Sequence, residues 1–307
     1  MTRTKRVLFM AAGAAVIIGV VFSGIGLSML AKSGRNAGMK KIERNYSADQ
    51  REVRLELDTA DIQVYPAQGD EIILTYYDNE RENYTVHAEG GVLAVTRAER
   101  KQWFEYLAVQ FFDRSRACSV GIPAGYAGNL SLYTGTGDVE VSGVSLQKEM
   151  TVKAVTGDVQ ICSLSADKIT AGITTGDIKV SDVRSASSLE LAGVTGDLTV
   201  QDASSAGALN MKAHTGDICL KETSADAYDL KLTTGDITFD NIQIGSAAAI
   251  ASTTGDIRGT IGDSRNNYRV ESNTTFGDIQ IPQSPAAGEK SIDVKTVTGD
   301  IRIAFSK

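Results

Sequence analysis

Apolar residues recur along most of this chain in step with a short turn motif. Thr-Gly-Asp followed by Val, Ile or Leu occurs eight times, and a ninth copy has Phe276 in place of the Thr. The spacing between successive copies is nearly constant, and a period of about 20 residues is typical of proteins built from stacked repeats. The glycines of the nine copies are Gly137, Gly157, Gly176, Gly196, Gly216, Gly235, Gly255, Gly277 and Gly299.

Apolar and polar side chains alternate on both sides of each glycine. The positions five and seven residues before the glycine are mostly apolar, as at Leu191 and Leu189. The positions two and four residues after it are also mostly apolar, as at Leu198 and Val200. This period of two predicts two short strands that meet at the Thr-Gly-Asp turn. A further apolar position seven residues after the glycine, as at Val183, predicts another inward-facing wall.

A repeat of this length cannot bury its apolar face alone, so successive coils must stack and pair their strands. The pattern therefore predicts an all-β, single-chain β-solenoid (β-helix) of about nine coils of 19–22 residues each. At the spacing of neighbouring strands, such a stack is roughly 43 Å long. Glycine accepts a positive φ, and Asp can bond its side chain back to the backbone, as in an Asx turn. We therefore predict a structural turn ladder at Gly137, Asp138, Gly157, Asp158, Gly176, Asp177, Gly196, Asp197, Gly216, Asp217, Gly235, Asp236, Gly255, Asp256, Gly277, Asp278, Gly299 and Asp300.

The aspartates of this ladder would place carboxylates about 5 Å apart, where neighbours repel by about 1 kcal/mol in water-like surroundings. Backbone N–H groups at the turn can offset this repulsion by stabilising the ionised form. Calcium is the alternative, but Ca²⁺ takes about six to eight oxygen ligands. The glycine-dense nonapeptide loops that supply them in calcium-binding β-rolls are absent from the sequence. We expect structural turns without a bound metal.

Residues 7–30, near the amino end, contain no charged side chain. This stretch is long enough to cross a bilayer as one helix, and a poor small-x-small site follows it, which disfavours the alternative of a cleaved signal peptide. We predict a cytoplasmic tail at 1–6, a transmembrane signal anchor at 7–30 and a basic stem at 31–50. The stem is either a solvated linker or an electrostatic contact with anionic headgroups or envelope polymers. Positive charges flank the span on both sides, so charge alone does not orient it.

An aromatic-rich region separates the stem from the first Thr-Gly-Asp turn. It contains one degenerate copy of the repeat, Thr59-Ala60-Asp61-Ile62, followed by several strand-like runs. Residues 65–133 hold eleven of the nineteen aromatic residues. A solenoid needs an atypical terminal unit to close its core. We therefore predict an N-terminal β cap at 51–133 and the Thr-Gly-Asp solenoid at 134–307.

Residues 103–112 of the cap read WFEYLAVQFF, which is apolar at both parities. One interpretation is a strand buried on both faces. The other is an exposed patch that meets a ligand, a partner or a membrane. In the second interpretation the candidate binding residues are Trp103, Phe104, Tyr106, Phe111 and Phe112.

The amino-acid composition restricts the functions that this chain can have. The formal net charge is −7, which argues against a nucleic-acid partner because no excess of basic residues is available to neutralise phosphates. The three cysteines, Cys118, Cys162 and Cys219, form no disulfide framework. The two histidines, His87 and His214, belong to no catalytic or zinc motif,. We expect no catalytic residues, no cofactor and no enzymatic activity.

The anchor, the aromatic run, the lead-in Val120-Gly121-Ile122-Pro123 and the serial Thr-Gly-Asp-Ile units resemble a known group. They are similar to the bacterial "putative adhesin" β-strand-repeat family, which has no known function, and to the head domain of auto-transporter adhesins. The likeness covers about residues 42–307. It implies a β-solenoid displayed on a cell envelope by a single-pass anchor, with the carboxyl-terminal body outside the cytoplasm. It supplies no site residues.

We expect a non-catalytic, membrane-anchored surface module that binds or scaffolds an envelope polymer or a surface protein. The alternative is a self-associating structural β-helix polymer, and a polysaccharide-acting enzyme on a β-helix is a third, less favoured class. Nothing follows the last strand to cover Ile292, Val294, Ile301 and Ile303, so the carboxyl end is expected to be open. Because the aromatic cap blocks a head-to-tail filament, we predict a monomer or a weak tail-to-tail dimer.

Overall fold

A computed structural model describes residues 40–78, 84–97, 117–283 and 288–306. The predicted tail, anchor and most of the stem lie outside these ranges, as does the aromatic run at 103–112. Within the described ranges, no helix has the length and apolar character needed to cross a bilayer. The described residues from Lys41 onward form one compact unit.

The described part of the chain is almost entirely strand, with one short 3₁₀ helix at Arg265–Asn267. Its strands are β1 (Lys40–Ser47), β2 (Glu52–Thr59), β3 (Ile62–Pro66), β4 (Glu71–Asp78), β5 (Tyr84–Glu89), β6 (Val92–Arg97), β7 (Cys118–Ile122), β8 (Asn129–Thr136), β9 (Val139–Ser142), β10 (Met150–Thr156), β11 (Val159–Thr175), β12 (Ile178–Thr195), β13 (Leu198–Thr215), β14 (Ile218–Lys221), β15 (Ser224–Thr234), β16 (Ile237–Thr254), β17 (Ile257–Ile261), β18 (Tyr268–Phe276), β19 (Ile279–Gln280), β20 (Lys290–Thr298) and β21 (Ile301–Phe305).

Each coil buries three short inward-facing segments. Along β12, burial alternates through Ile178 and Val180, resumes at Val183, and alternates again through Leu189 and Leu191. The inward wall predicted seven residues after the glycine is thus confirmed. Period-two alternation explains each segment, because successive side chains of a strand point to opposite faces.

Successive coils pair in parallel, with equivalent residues side by side. Ile178 pairs with Val159 on one side and with Leu198 on the other, so the apolar positions form continuous columns. The predicted all-β solenoid is confirmed, with about eight turns in place of the nine coils expected. Stacking gives most strands a partner above and below and leaves the core between the three inward-facing segments.

A second left-handed corner lies six residues after most of the glycines. In the first of these coils the corner residue is Gly143, with a φ of 69°. In the next five coils it is a non-glycine residue with a φ of 51–52°. The sequence pattern did not predict this corner. Asp and Asn tolerate this conformation better than other non-glycine residues, because their short side chains can bond locally. The five residues are Ser163, Asp182, Asp202, Glu222 and Asn241.

A third bend absorbs the difference in length between a shorter coil and a coil with one additional residue. Ala166 pairs with Ser185 and Lys168 with Ser188, so one residue of β11 faces two residues of β12. The same shift occurs where β13 pairs with β15 and where β15 pairs with β16. The corners therefore stay in register although the period varies.

At the amino end, the coils do not stack in chain order. The first coil, β2 and β3, pairs with β8 and β9 on one side and with β6 and β7 on the other. The coil that comes second in the chain is therefore outermost. Antiparallel strands extend the sheet beyond it, because β5 pairs with β6 and β4 pairs with β7. β1 in turn pairs with β4.

The carboxyl end shows the same inversion, and the expectation of an open last strand is wrong. β20 and β21 lie between β16–β17 and β18–β19 and pair with both. The four residues expected to be exposed are therefore buried. The outermost coil is instead β18–β19, where Phe276 is 69% and Ile279 43% exposed. The buried four are Ile292, Val294, Ile301 and Ile303.

A polar network holds the chain at this end. The Lys290 ammonium donates to the Asp263 carboxylate (2.9 Å) and to the carbonyl oxygen of Ile244 (2.7 Å). The Tyr268 hydroxyl donates to the same carboxylate (3.1 Å), as does the backbone N–H of Ser264 (2.7 Å). Burial opposes ionisation of Asp263, but these bonds outweigh it and lower its pKa to about 2,. The network ties the start of β20 to the loop that precedes β18.

Candidate functional site

The predicted turn ladder is a continuous chain of hydrogen bonds from side chain to backbone. At each corner the aspartate Oδ1 accepts the backbone N–H of the aspartate in the adjacent coil, over 2.7–3.0 Å. The acceptor therefore serves the neighbouring coil, and not its own turn as an Asx turn would. The order of the ladder is Asp61, Asp138, Asp158, Asp177, Asp197, Asp217, Asp236, Asp256, Asp300 and Asp278.

The aspartate carboxylate of each corner takes the place of a backbone carbonyl acceptor that is missing at the bend. At one corner, the N–H of Gly157 donates to the Thr175 carbonyl and that of Val159 to the Asp177 carbonyl, both in the next coil. The N–H between them, on Asp158, points to the previous coil and meets the Asp138 carboxylate at 2.9 Å. A buried N–H without a partner is costly, so the aspartate keeps the ladder complete around the bend.

Glycine is required at these corners for two reasons. The φ of Gly196 is 130°, a conformation that side chains with a Cβ rarely adopt,. A Cβ at this position would also overlap the carbonyl oxygen of Gly176 in the adjacent coil. At Asp300, the N–H of Asp278 lowers the pKa of the carboxyl group and so favours its charged form,. In the part of the chain that the structure describes, no group of three His, Cys, Asp or Glu side chains has the arrangement of a metal site.

A different feature is an open cleft of about 620 Å³ on the outer face of the first coils. β6, β2, β8 and β10 run side by side there in parallel. Glu56, Tyr133 and Lys153 occupy one row across three of these strands, in direct register. Arg54, Ser131 and Thr151 occupy the next row. Both rows face outward, since the residues between them, such as Leu55 and Leu132, are buried in the core.

The described side chains that line the cleft carry equal numbers of positive and negative charges. The Arg54 guanidinium donates to both Glu52 carboxylate oxygens, at 3.0 and 2.8 Å, and the pair holds the pKa of Glu52 below its ordinary value. Arg97 donates to the Thr59 carbonyl oxygen. The described lining carries three carboxylates and three cations: Glu52, Glu56, Asp58, Arg54, Arg97 and Lys153.

Tyr133 is the one aromatic side chain in the described lining of the cleft, and it is 39% exposed. Its column along the solenoid otherwise holds Thr, Glu, Lys, Gly, Ala and Asn residues. The sequence pattern missed this site, because polar outward-facing residues look like an ordinary solvated surface. The signal available was an aromatic residue in a column of small and charged ones.

The aromatic run proposed as a binding patch lies outside the described residues, and its role stays a prediction. Register nevertheless locates its insertion point in the fold. Leu57 pairs with Arg97, and Ile62 with Cys118. The four residues that separate Leu57 from Ile62 thus correspond to a much longer segment of the outermost coil, 98–117, which contains the run.

The remaining candidate groups are dispersed. His87 lies on β5 and His214 on β13, and both are exposed. Cys118 is buried, and burial raises the pKa of its thiol to about 12. Cys162 is exposed and Cys219 is half-buried, and all three thiols are free. The structure does not bring these groups together.

This chain is similar to one known protein family and to several solved structures. The family model Toastrack DUF4097 matches residues 51–304. A putative lipid binding protein from Parabacteroides distasonis is 14% identical, with 88% of this chain and 98% of that chain covered and a TM-score of 0.40. A putative adhesin from Bacteroides fragilis is also 14% identical, with 86% and 97% covered and a TM-score of 0.38. Among curated proteins, no sequence is significantly similar to this chain.

Proposed function

The chain belongs to the Toastrack DUF4097 family, as its Thr-Gly-Asp series indicated, and we propose that it is a non-catalytic surface module that binds a polymer of the cell envelope. In this proposal residues 7–30 anchor the chain in the membrane, and the solenoid lies outside the cytoplasm. The length and uncharged character of 7–30 support the anchor,. The observation that carries the binding function is the cleft around Tyr133.

The chemistry of the cleft favours a neutral glycan over a polyanion. Three carboxylates and three cations line it, so it offers hydrogen-bond donors and acceptors without a net attraction for phosphate,. Tyr133 adds a flat apolar surface next to these groups, on which a sugar ring can pack,. The cleft is open along the face, so a chain longer than the site can pass through it.

The binding test uses the full-length protein in detergent and purified, protein-free cell-wall glycan as the probe. We expect Tyr133→Ala to weaken binding about 3- to 10-fold, the range expected for one aromatic contact. Arg54→Ala should weaken binding as well, because it removes a donor and releases Glu52. Lys212→Ala is the matched control, since Lys212 lies in the column of Tyr133 but away from the cleft. Equal binding by all variants, or a preference for an anionic polymer, would contradict the proposal.

The topology test uses intact cells from which the wall has been removed. Protease added outside should digest the chain beyond about residue 31 if the solenoid lies outside the cytoplasm. Protection of the solenoid until the membrane is permeabilised would overturn the proposed location. A cytoplasmic protein followed in the same samples controls for cell lysis.

A further inference from the structure

We propose that β18 of the outermost carboxyl-terminal coil pairs antiparallel with β18 of a second copy, giving a closed tail-to-tail dimer. β18 pairs with β20 on one side from Tyr268 to Phe276. On its other side, none of the described strands pairs with it. A strand of nine residues with one unpaired edge is a template for another strand,.

The residues that face the open edge follow from the pairing on the closed side. The carbonyl oxygen of Phe276 accepts the N–H of Gly299, 2.9 Å away. In a strand, the N–H and C=O of one residue point to the same side, and those of the next residue point to the other. The register skips Thr275, however, so this alternation does not continue from Phe276 into the strand. In another coil, the carbonyl oxygen of Glu149, eight residues before its glycine, accepts the N–H of Leu130 in the preceding coil. The equivalent residue of β18 is Arg269, so the backbone groups directed to the open side are those of Val270, Ser272 and Thr274,.

The same coil exposes apolar side chains at two positions that are polar or buried in the other coils. Phe276 replaces a threonine at the corner and is 69% exposed. Ile279 is 43% exposed, whereas Ile301 in the adjacent coil occupies the same position and is fully buried. An open edge beside exposed apolar residues is the usual composition of an interaction surface.

The edge is complementary to itself. A two-fold axis at Ser272 would pair Arg269 with Thr275 of the second copy, and Glu271 with Asn273. Both would be non-hydrogen-bonded pairs, and the hydrogen-bonded pairs would be Ser272 with itself and Val270 with Thr274, which direct their backbone groups to the open side. No like charges face each other directly, which is the condition for a favourable cross-strand pair. The two Glu271 side chains would be diagonal neighbours, each beside the Arg269 of its own strand.

The other end of the solenoid does not present its outermost coil in the same way. Its outermost coil, β6–β7, is covered by the antiparallel strands β5 and β4. A head-to-tail filament requires two different, complementary ends, whereas an isologous contact uses the same surface twice and closes. The occupant is therefore a second copy in the inverted orientation, and an extended segment of another protein is the rival.

Cysteine crosslinking of the full-length protein in detergent tests the contact. Ser272 would face itself in a hydrogen-bonded pair, with Cα atoms about 5.5 Å apart, within disulfide range. With Cys162 and Cys219 replaced by serine, Ser272→Cys should give mostly disulfide-linked dimer under mild oxidation. Ser204→Cys, at an equally half-buried position far from the edge, should not. Absence of the dimer, or equal yields at both positions, would overturn the proposal.

Charge reversal separates a specific contact from random collision. Asn273→Glu places a carboxylate opposite Glu271 of the second copy and should reduce the Ser272→Cys dimer several-fold. Adding Glu271→Lys turns each of these pairs into an attraction and should restore the dimer. Both side chains are exposed, so neither change disturbs the core. Restoration supports the two-fold register at Ser272. Equal loss in the single and the double variant would refute that register.

Discussion

The amino-terminal and carboxyl-terminal ends of the solenoid share an inverted coil order but differ in what lies beyond the outermost coil. At each end, the coil nearest the chain terminus is the second in the stack. Beyond the outermost coil, the amino end adds the antiparallel strands β4 and β5, whereas the carboxyl end leaves the edge of β18 open. One end is thus extended by more sheet, whereas at the other a side-chain network holds the outermost coil and leaves its edge open.

The comparison shows how a repeat protein protects its terminal strands. A terminal coil at the very end of a stack would have one neighbour and would fray first. Here β2 and β20 each have a strand on both sides, so the last segment of the solenoid is held as firmly as a middle one. The coil placed outside is instead joined to the chain at both of its ends.

The largest effect is expected where a corner is enclosed on both sides. Gly196→Val should reduce the free energy of unfolding by at least about 3 kcal/mol, because it combines backbone strain with overlap of a neighbouring carbonyl,. Gly277→Val should cost less, about 1–2 kcal/mol, since no described coil lies beyond it and its coil can shift outward,. Chemical denaturation measures both. Equal losses would mean that the outermost coil is as confined as a middle coil.

A second prediction tests the inverted order at the carboxyl end. Val294→Ala in β20 should destabilise the protein by about 2 kcal/mol, because Val294 is fully buried between two coils,. Val270→Ala in β18 should cost less than about 1 kcal/mol, since Val270 is only half-buried,. Stacking in chain order predicts the reverse ranking, with the loss greater at Val270. Denaturation midpoints of the two variants therefore distinguish the two arrangements.

The third and smallest effect concerns the side-chain network at the carboxyl end. Asp263 has a folded-state pKa of about 2, below its ordinary value of 3.8. Its ionised form therefore stabilises the fold above about pH 4, and this contribution is lost as the pH falls from about 4 towards 2. We expect Asp263→Asn to cost about 1–2 kcal/mol at pH 6 and to converge with the wild type near pH 2.

The pH series for this prediction needs a control in the same region. Asp293→Asn alters a more exposed carboxylate that is paired with Lys295 at 2.6 Å, and exposed pairs contribute little,. Its unfolding free energy should stay within about 0.5 kcal/mol of the wild type throughout. A constant gap between Asp263→Asn and the wild type down to pH 2 would show that the loss at Asp263 comes from packing and not from charge.

The columns and the Thr-Gly-Asp corners of the fold were predictable from the sequence, but the order of the coils was not. Period-two alternation alone predicts that Leu189 and Leu191 face inward, and both are buried. Coil order depends on which strands pair, and the inward positions of neighbouring coils are nearly interchangeable. Stacking in chain order would place Ser272 next to Ile250. The observed order places Val294 there, which is a larger apolar side chain. The two longest steps between successive corner glycines, at the end of the series, were the only sequence sign of unusual connections.

The candidate site and the second corner were missed for different reasons. Glu56, Tyr133 and Lys153 are distant in sequence and meet only because the first coil pairs with β8. No spacing rule within one repeat brings them together. The second corner had a local signal, because Asp182 and Asp202 occur at a fixed distance after the glycine and are residue types that accept positive φ,.

The third bend has a consequence for how such a chain can change in length. Because it accepts one residue more or less without moving the corners, a duplicated copy of either the shorter or the longer unit fits into the stack. A unit gained in the middle copies the existing pairing on both sides. A unit gained at either terminus would have to displace an inserted coil. A change in the number of coils is therefore expected in the interior of the stack and not at either end.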